Sequence, residues 1–157
     1  MAVTFRAPSS TNCASHARGS LLTFGQELSP SFMPWKCATC GVEHDDLPTC
    51  FGCEAPWREL VAESEFESRV ELTRDQCVVD GSVFFVRGHL EIPIVGHPET
   101  LVLAVWSSLS EQSFCHMCDR WNDDDRHYDP PYFGWLSSRL PVYPDTVNLK
   151  LSVQTNL

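Results

Sequence analysis

Residues 77–94 read CVVDGSVFFVRGHLEIPI. An Asp80-Gly81 pair stands between two apolar runs, and this dipeptide favours the tight turn that brings a strand back on itself. Side chains of an extended chain alternate between two faces. Phe84, Val86, Leu90 and Ile92 therefore share one side of the second run, and Val83, Phe85, Arg87, His89 and Glu91 the other. Pro93 has no amide to donate to a ladder, so an edge position or a bulge is expected there. The stretch is a β-hairpin with one apolar face and one partly polar face.

The neighbouring segments extend this reading. Residues 101–110, LVLAVWSSLS, form another strand that runs into a helix at Ser110, where the hydroxyl is an N-cap and Glu111 lies in the first turn. On that helix Phe114, Cys118 and Trp121 point together toward a core, and His116 falls on another face. Residues 57–72, WRELVAESEFESRVEL, are mostly helix formers with apolar positions at Trp57, Leu60, Val61 and Val70, and a helix is expected, although Phe66 fits the stripe poorly. Residues 129–153 carry the aromatic and proline run DPPYFGWLSSRL, which either wraps over the sheet as core, the favoured reading, or presents an aromatic binding surface, followed by a turn at Asp145 and Asn148 and the strand VNLKLSV. Strands in the middle with helices before and after give an α+β fold, an antiparallel sheet with two or three helices.

Residues 35–57 read WKCATCGVEHDDLPTCFGCEAPW, with Cys37-x2-Cys40, nine residues, then Cys50-x2-Cys53. A two-residue spacer lets a tight turn aim two sulfurs at one ion, and two such turns complete the tetrahedron of a structural zinc site. Gly41 and Gly52 suit positions of positive φ. Two reduced pairs or a redox dithiol are the alternatives. A thioredoxin-like dithiol follows a strand and opens a helix, which neither flank shows. The nine-residue spacer is shorter than that of most zinc ribbons. A small zinc knuckle is therefore expected over residues 35–56, in front of a sheet and helix core over 57–157, with residues 1–34 a poorly ordered extension.

Arg87, His89 and Glu91 alternate along one strand face. A histidine beside a carboxylate is a usual acid–base pair, and the solvated face of a half-buried sheet gives the same pattern. Asp123, Asp124 and Asp125 lack the alternation of a calcium loop and form a charged helix exit.

The 157 residues carry 21 acids against 11 lysines and arginines, a formal charge of −10. Residues 41–75 alone hold ten acids and three arginines. That balance disfavours unaided binding to nucleic acid or an anionic membrane and favours a basic protein partner. A disulfide framework needs an export signal, and residues 1–20 have no apolar core for one, so a cytoplasmic location is expected.

With these pieces in order the chain resembles the bacterial domain-of-unknown-function family 2199. The matching stretches are WKCATCGVEHDDLP at 35–48, CVVDGSVFFVRGHLEIPI at 77–94, LAVWSSLSEQSF at 103–114 and PPYFGWLSSRLPVYPDTVNLK at 130–150. The resemblance implies a small bacterial protein with a cysteine-pair knuckle and brings no known activity with it. The family pattern commonly lacks cysteines at the positions of Cys50 and Cys53, which makes His44 and Cys77 the alternative ligands. It also usually continues past the NLK motif, so the C-terminal edge here is expected to be incomplete. Two functions are carried forward. One is a zinc-stabilised, non-enzymatic binding domain with Cys37, Cys40, Cys50 and Cys53 as ligands. The other is a small enzyme using His89, Glu91 and Arg87, or a zinc-bound water.

Overall fold

The hairpin expected at Asp80-Gly81 forms. The computed structural model describes residues 2–6, 34–36, 41–44, 50–96, 98–140 and 143–156. Its strands are β1 (Ala2–Arg6), β2 (Trp35–Lys36), β3 (Glu43–His44), β4 (Cys50–Gly52), β5 (Val70–Leu72), β6 (Gln76–Val79), β7 (Val83–Pro93), β8 (Thr100–Leu109), β9 (Tyr132–Leu136) and β10 (Lys150–Asn156). The helices are α1 (Phe66–Arg69) and α2 (Glu111–Asp119), with 3-10 turns at Pro56–Glu59, Glu63–Glu65 and Arg126–Tyr128. Met1–Ala7 together with Thr49–Leu157 make one compact unit, and Pro8–Pro48 make a second.

Asp80 and Gly81 have φ of 52° and 61°, the left-handed pair that a tight β6–β7 turn requires. The Arg69 guanidinium locks this turn, donating to both Asp80 carboxylate oxygens at 2.7 Å. The hydrogen bond from Arg69 holds the Asp80 carboxyl below its ordinary range.

In the larger unit the strand order is β4-β8-β9-β10-β1-β7-β6-β5, and β7 also pairs with β8. Strands β7, β8, β9, β10 and β1 thus pair in a closed cycle. The outer edge of β8 is shared by β4, along Val102–Ala104, and β9, along Ser107–Leu109. The outer edge of β7 is shared by β6 and β1. The sheet with its two short helices is the expected α+β fold and is mainly antiparallel, while two pairings, β1 with β10 and β4 with β8, are parallel. Long stretches of chain separate the members of each parallel pair, and such crossovers permit parallel addition where a tight turn cannot.

Two further expectations are corrected. Residues 2–6, assigned to a poorly ordered extension, form β1 on β10. The segment AVTFR alternates apolar and polar residues, and the β10 edge gives its amides partners. The single helix expected over 57–72 is instead two 3-10 turns, the one-turn α1, and β5. Breaking the helix lets the Trp57 and Phe66 rings meet with centroids 4.6 Å apart, and Val70 pairs with Val79 rather than extending a helical stripe.

The parity read from residues 83–92 builds two cores, one on each face of β7–β8. Val86, Leu90, Leu103, Val105, Leu109, Leu136, Leu151 and Val153 pack with Phe114 and Met117 of α2. Trp57, Val61, Val70, Cys77, Val79, Phe85 and Trp106 pack on the opposite face. Each buried aliphatic or aromatic side chain contributes about 1.5–3 kcal/mol. Ser110 caps α2 as expected, its hydroxyl accepting from the Ser113 amide at 3.2 Å. Beyond its end Arg120 gathers Asp123, Asp125 and Asp129 within 2.6–3.1 Å, so the acidic run is a charge-paired helix exit.

The run becomes core only in part: Leu136 and Leu140 are buried and Tyr132 packs against them, while two of its aromatics turn away. It forms β9, in which Gly134 and Leu136 face inward and Phe133 and Trp135 outward. Gly134 sets this parity, because a Cβ there would stand 2.8 Å from the Ser108 carbonyl oxygen and closer still to the Ser107 hydroxyl. Ser107 is fully buried, and its hydroxyl has no hydrogen-bond partner among the described residues. Gly134→Ala should therefore destabilise the fold by about 1–3 kcal/mol, the cost of overpacking, read as a lower urea midpoint with an unchanged slope. A variant as stable as the parent would show that β8 and β9 separate freely.

Candidate functional site

The strand register brings the sequence candidates of the larger unit together. Gly52 pairs with Ala104 of β8, which pairs with His89 of β7, and two rows along Cys50, Val102 and Glu91 line up in the same way. Arg87 pairs with Trp106. Arg87 and His89 are half-buried and Glu91 is exposed. Gly52 does not have positive φ, contrary to expectation. It lies under Arg87, whose Nη2 would be 3.3 Å from a Cβ at that position.

Cys53 closes β4. Its amide donates to Ala104 O at 2.9 Å and its carbonyl accepts from Trp106 Nε1 at 3.2 Å, which fixes the backbone that carries the thiol. Burial pushes the Cys53 thiol up, while the Ser138 hydroxyl and the Arg87 guanidinium pull it down. The Ser138 hydroxyl oxygen accepts from the Trp106 amide at 2.8 Å, leaving its proton for the sulfur. A cleft of about 270 Å³ beside Cys53 is lined by Arg58, Ser137, Ser138 and Arg139. The geometry supplies a positioned thiol with a cation and a hydroxyl next to it. Among the described residues no side-chain hydrogen bond or ion pair joins His89 to Glu91.

The smaller unit holds the first cysteine pair. Here β2 and β3 are antiparallel, with Trp35 opposite His44 and Lys36 opposite Glu43, and Gly41 has φ of 71°. Cys37 and Cys40 fall between these strands and lie outside the described residues, as do the side chains of His44 and Cys50. Among the described residues no group of three or more His, Cys, Asp or Glu is placed to hold a metal. Cys77, the alternative ligand, is 0% exposed within the Trp57 cluster, and burial pushes its thiol up to about 11. That is the setting of a packed apolar thiol.

A model of the family described as an uncharacterized protein conserved in bacteria, DUF2199, matches residues 36–157. The chain belongs to this family. No curated protein and no solved structure matches it. The DUF2199 match takes in all four knuckle cysteines and strands β3 to β10, and β1 lies outside it. No helix among the described residues is long and apolar enough to cross a membrane.

Two features of the DUF2199 domain go beyond the favoured sequence reading. One is a polar chain in which His116 Nδ1 is 2.8 Å from Tyr132 Oη, Tyr132 donates to Asp129 at 3.5 Å, and Arg120 donates to Asp129 at 2.7 Å. Burial, followed by the Asp129 charge, pushes the Tyr132 phenol up. The repeated spacing of aspartates after Arg120 was the available signal, and nothing local pointed to Tyr132. The other is the outward pair Phe133 and Trp135, 55% and 39% exposed and packed edge to face at 5.1 Å, with Lys150 Nζ 6.0 Å from the Trp135 ring. Cys77→Ser should cost about 1–3 kcal/mol from the buried hydroxyl and leave the metal content of purified protein unchanged. Loss of bound metal in a variant that still unfolds cooperatively would make Cys77 a ligand.

Proposed function

We propose that the chain is a non-enzymatic interaction domain of the bacterial cytoplasm, stabilised by a structural zinc ion on Cys37, Cys40, Cys50 and Cys53, and that it binds a basic protein partner. The outward Phe133–Trp135 pair carries the binding reading. Large aromatics on the solvent face of a central strand add nothing to either core, and exposed aromatic patches of this kind are anchors of protein interfaces. The charge of −10 steers a basic partner toward the domain, an attraction that weakens as salt rises.

Zinc is supported by the two-residue spacers and by the β2–β3 pairing on either side of Cys37-x2-Cys40, with left-handed Gly41 immediately after it. A knuckle over such a spacer would direct backbone amides at sulfur. Deprotonating four thiols and binding the ion supplies folding energy to a segment with little core of its own. Arg87 beside Cys53 offsets part of the resulting negative charge.

Protein purified without added metal should contain about one equivalent of zinc, and substituting Cys37 and Cys40 should remove it. Less than about 0.2 equivalents, unchanged by those substitutions, excludes the structural ion. For binding, the domain should retain a basic protein from its own host at low salt and lose it at moderate salt. The Phe133→Ala/Trp135→Ala variant should hold that protein at least about tenfold more weakly, as expected for interface anchors. Equal retention by the variant would remove β9 from the interface.

A further inference from the structure

We propose that Cys115 and Cys118 of α2 are a reversible dithiol that reacts with small-molecule disulfides. This pair is separate from the knuckle cysteines, and the inference does not depend on bound zinc. The two residues stand three positions apart on one helix, so their Cβ atoms are about 5–6 Å apart, and a disulfide needs about 3.5–4.5 Å. The helix already tightens just beyond the pair. Arg120 still bonds the His116 carbonyl, whereas the Trp121 amide bonds the Cys118 carbonyl, an i to i−3 contact. That is a 3-10 turn, in which side chains three apart eclipse. Carrying this tightening back by three further amides, to Cys118 on the Cys115 carbonyl, brings the sulfurs together. A bond formed this way is strained, which favours its reduction and makes it reversible.

The surroundings divide the roles. Cys115 is exposed and meets the oxidant. Cys118 is half-buried against the core, and Gln76 Nε2 on β6 donates to its sulfur at 3.2 Å. In the first step the Cys115 thiolate attacks one sulfur of the small disulfide, and the other sulfur leaves as a thiolate. In the second, the Cys118 thiolate attacks the Cys115 sulfur of the mixed disulfide and expels the second small thiolate. The two protons from Cys115 and Cys118 end on the two released thiols, and the small disulfide is reduced as the protein dithiol is oxidised. Burial, then the neighbouring Cys115, pushes the Cys118 thiol up. Burial persists in the mixed disulfide, so the second step quickens as the pH rises. Once bonded to Cys115, Cys118 no longer offers Gln76 the same acceptor, which couples the redox state of α2 to β6.

Glutathione disulfide is the probe, followed by alkylation of remaining thiols and tryptic digestion. Cleavage after Arg87 and Arg120 releases residues 88–120, in which Cys115 and Cys118 are the only cysteines. The expected product is this peptide, unalkylated and lighter by two hydrogens, restored by excess reduced glutathione. Its formation should accelerate about tenfold per pH unit between pH 6 and 8, following the thiolate fraction. Cys118→Ser should stop at a glutathione adduct on Cys115, and Cys115→Ser should leave Cys118 alkylatable. In wild-type protein, full alkylation of both cysteines or a lasting glutathione adduct on Cys115 would overturn the proposal. Because the wild-type peptide is the primary readout, poor folding of a variant leaves the test intact, and the result is independent of metal content.

Discussion

The ladder between β7 and β8 is the constraint on which the rest of the molecule depends. It runs from Phe84 opposite Leu109 to Pro93 opposite Thr100 without a break. A shift of one residue would exchange the faces of every side chain along one strand. In the observed register Val86, Leu90, Leu103 and Val105 share one core with Phe114 and Met117 of α2, while Phe85 and Trp106 share the other with Trp57. Both faces being apolar in the middle of the ladder fixes the register from two sides. The outer edges of the two strands are then each divided between two neighbours, and this division lets β9, β10 and β1 close the cycle.

The hairpin, the alternation along β7, the β8 strand and the capped start of α2 were legible because each is decided by neighbours in sequence. Turn geometry at Asp80-Gly81, period two and an N-cap serine are local properties. Residues 57–72 were misread for the complementary reason. Their composition is that of a helix, but the burial available to Trp57 and Phe66 depends on Cys77, Phe85 and Trp106, which arrive later in the chain. Tertiary packing overrode a weak local preference. The parallel pairings of β1 and β4 were likewise invisible, since partners of parallel strands are distant in sequence.

The aromatic run shows how one small residue redirects a segment. Tyr, Phe and Trp in PPYFGWL suggested core by composition. Gly134 must face inward because β8 approaches too closely for any side chain, and period two then turns Phe133 and Trp135 outward. The candidate thiol site was legible by a different route. The spacing of Cys50 and Cys53 marked the residues, but that β4 joins β8 and places Cys53 beside Arg87 and Ser138 is a consequence of topology.

The described cysteines show how differently the same side chain is used when its surroundings change. Cys77 is sealed in a core and its thiol is pushed up to about 11, so at neutral pH it is an apolar filler. Cys53 is also raised by burial, but a hydroxyl and a guanidinium oppose that effect, the surroundings that a thiolate or a metal-bound sulfur needs. Cys118 has an amide donor and a neighbouring thiol one helical turn away, and Cys115 has open solvent. Sequence spacing makes 37–40, 50–53 and 115–118 look alike, since each is Cys-x2-Cys. What separates the last two is the backbone beneath. Cys50 opens the strand β4 and Cys53 follows its end, whereas a helix holds Cys115 and Cys118 one turn apart on one face. The same spacer therefore places its sulfurs differently on a strand and in α2.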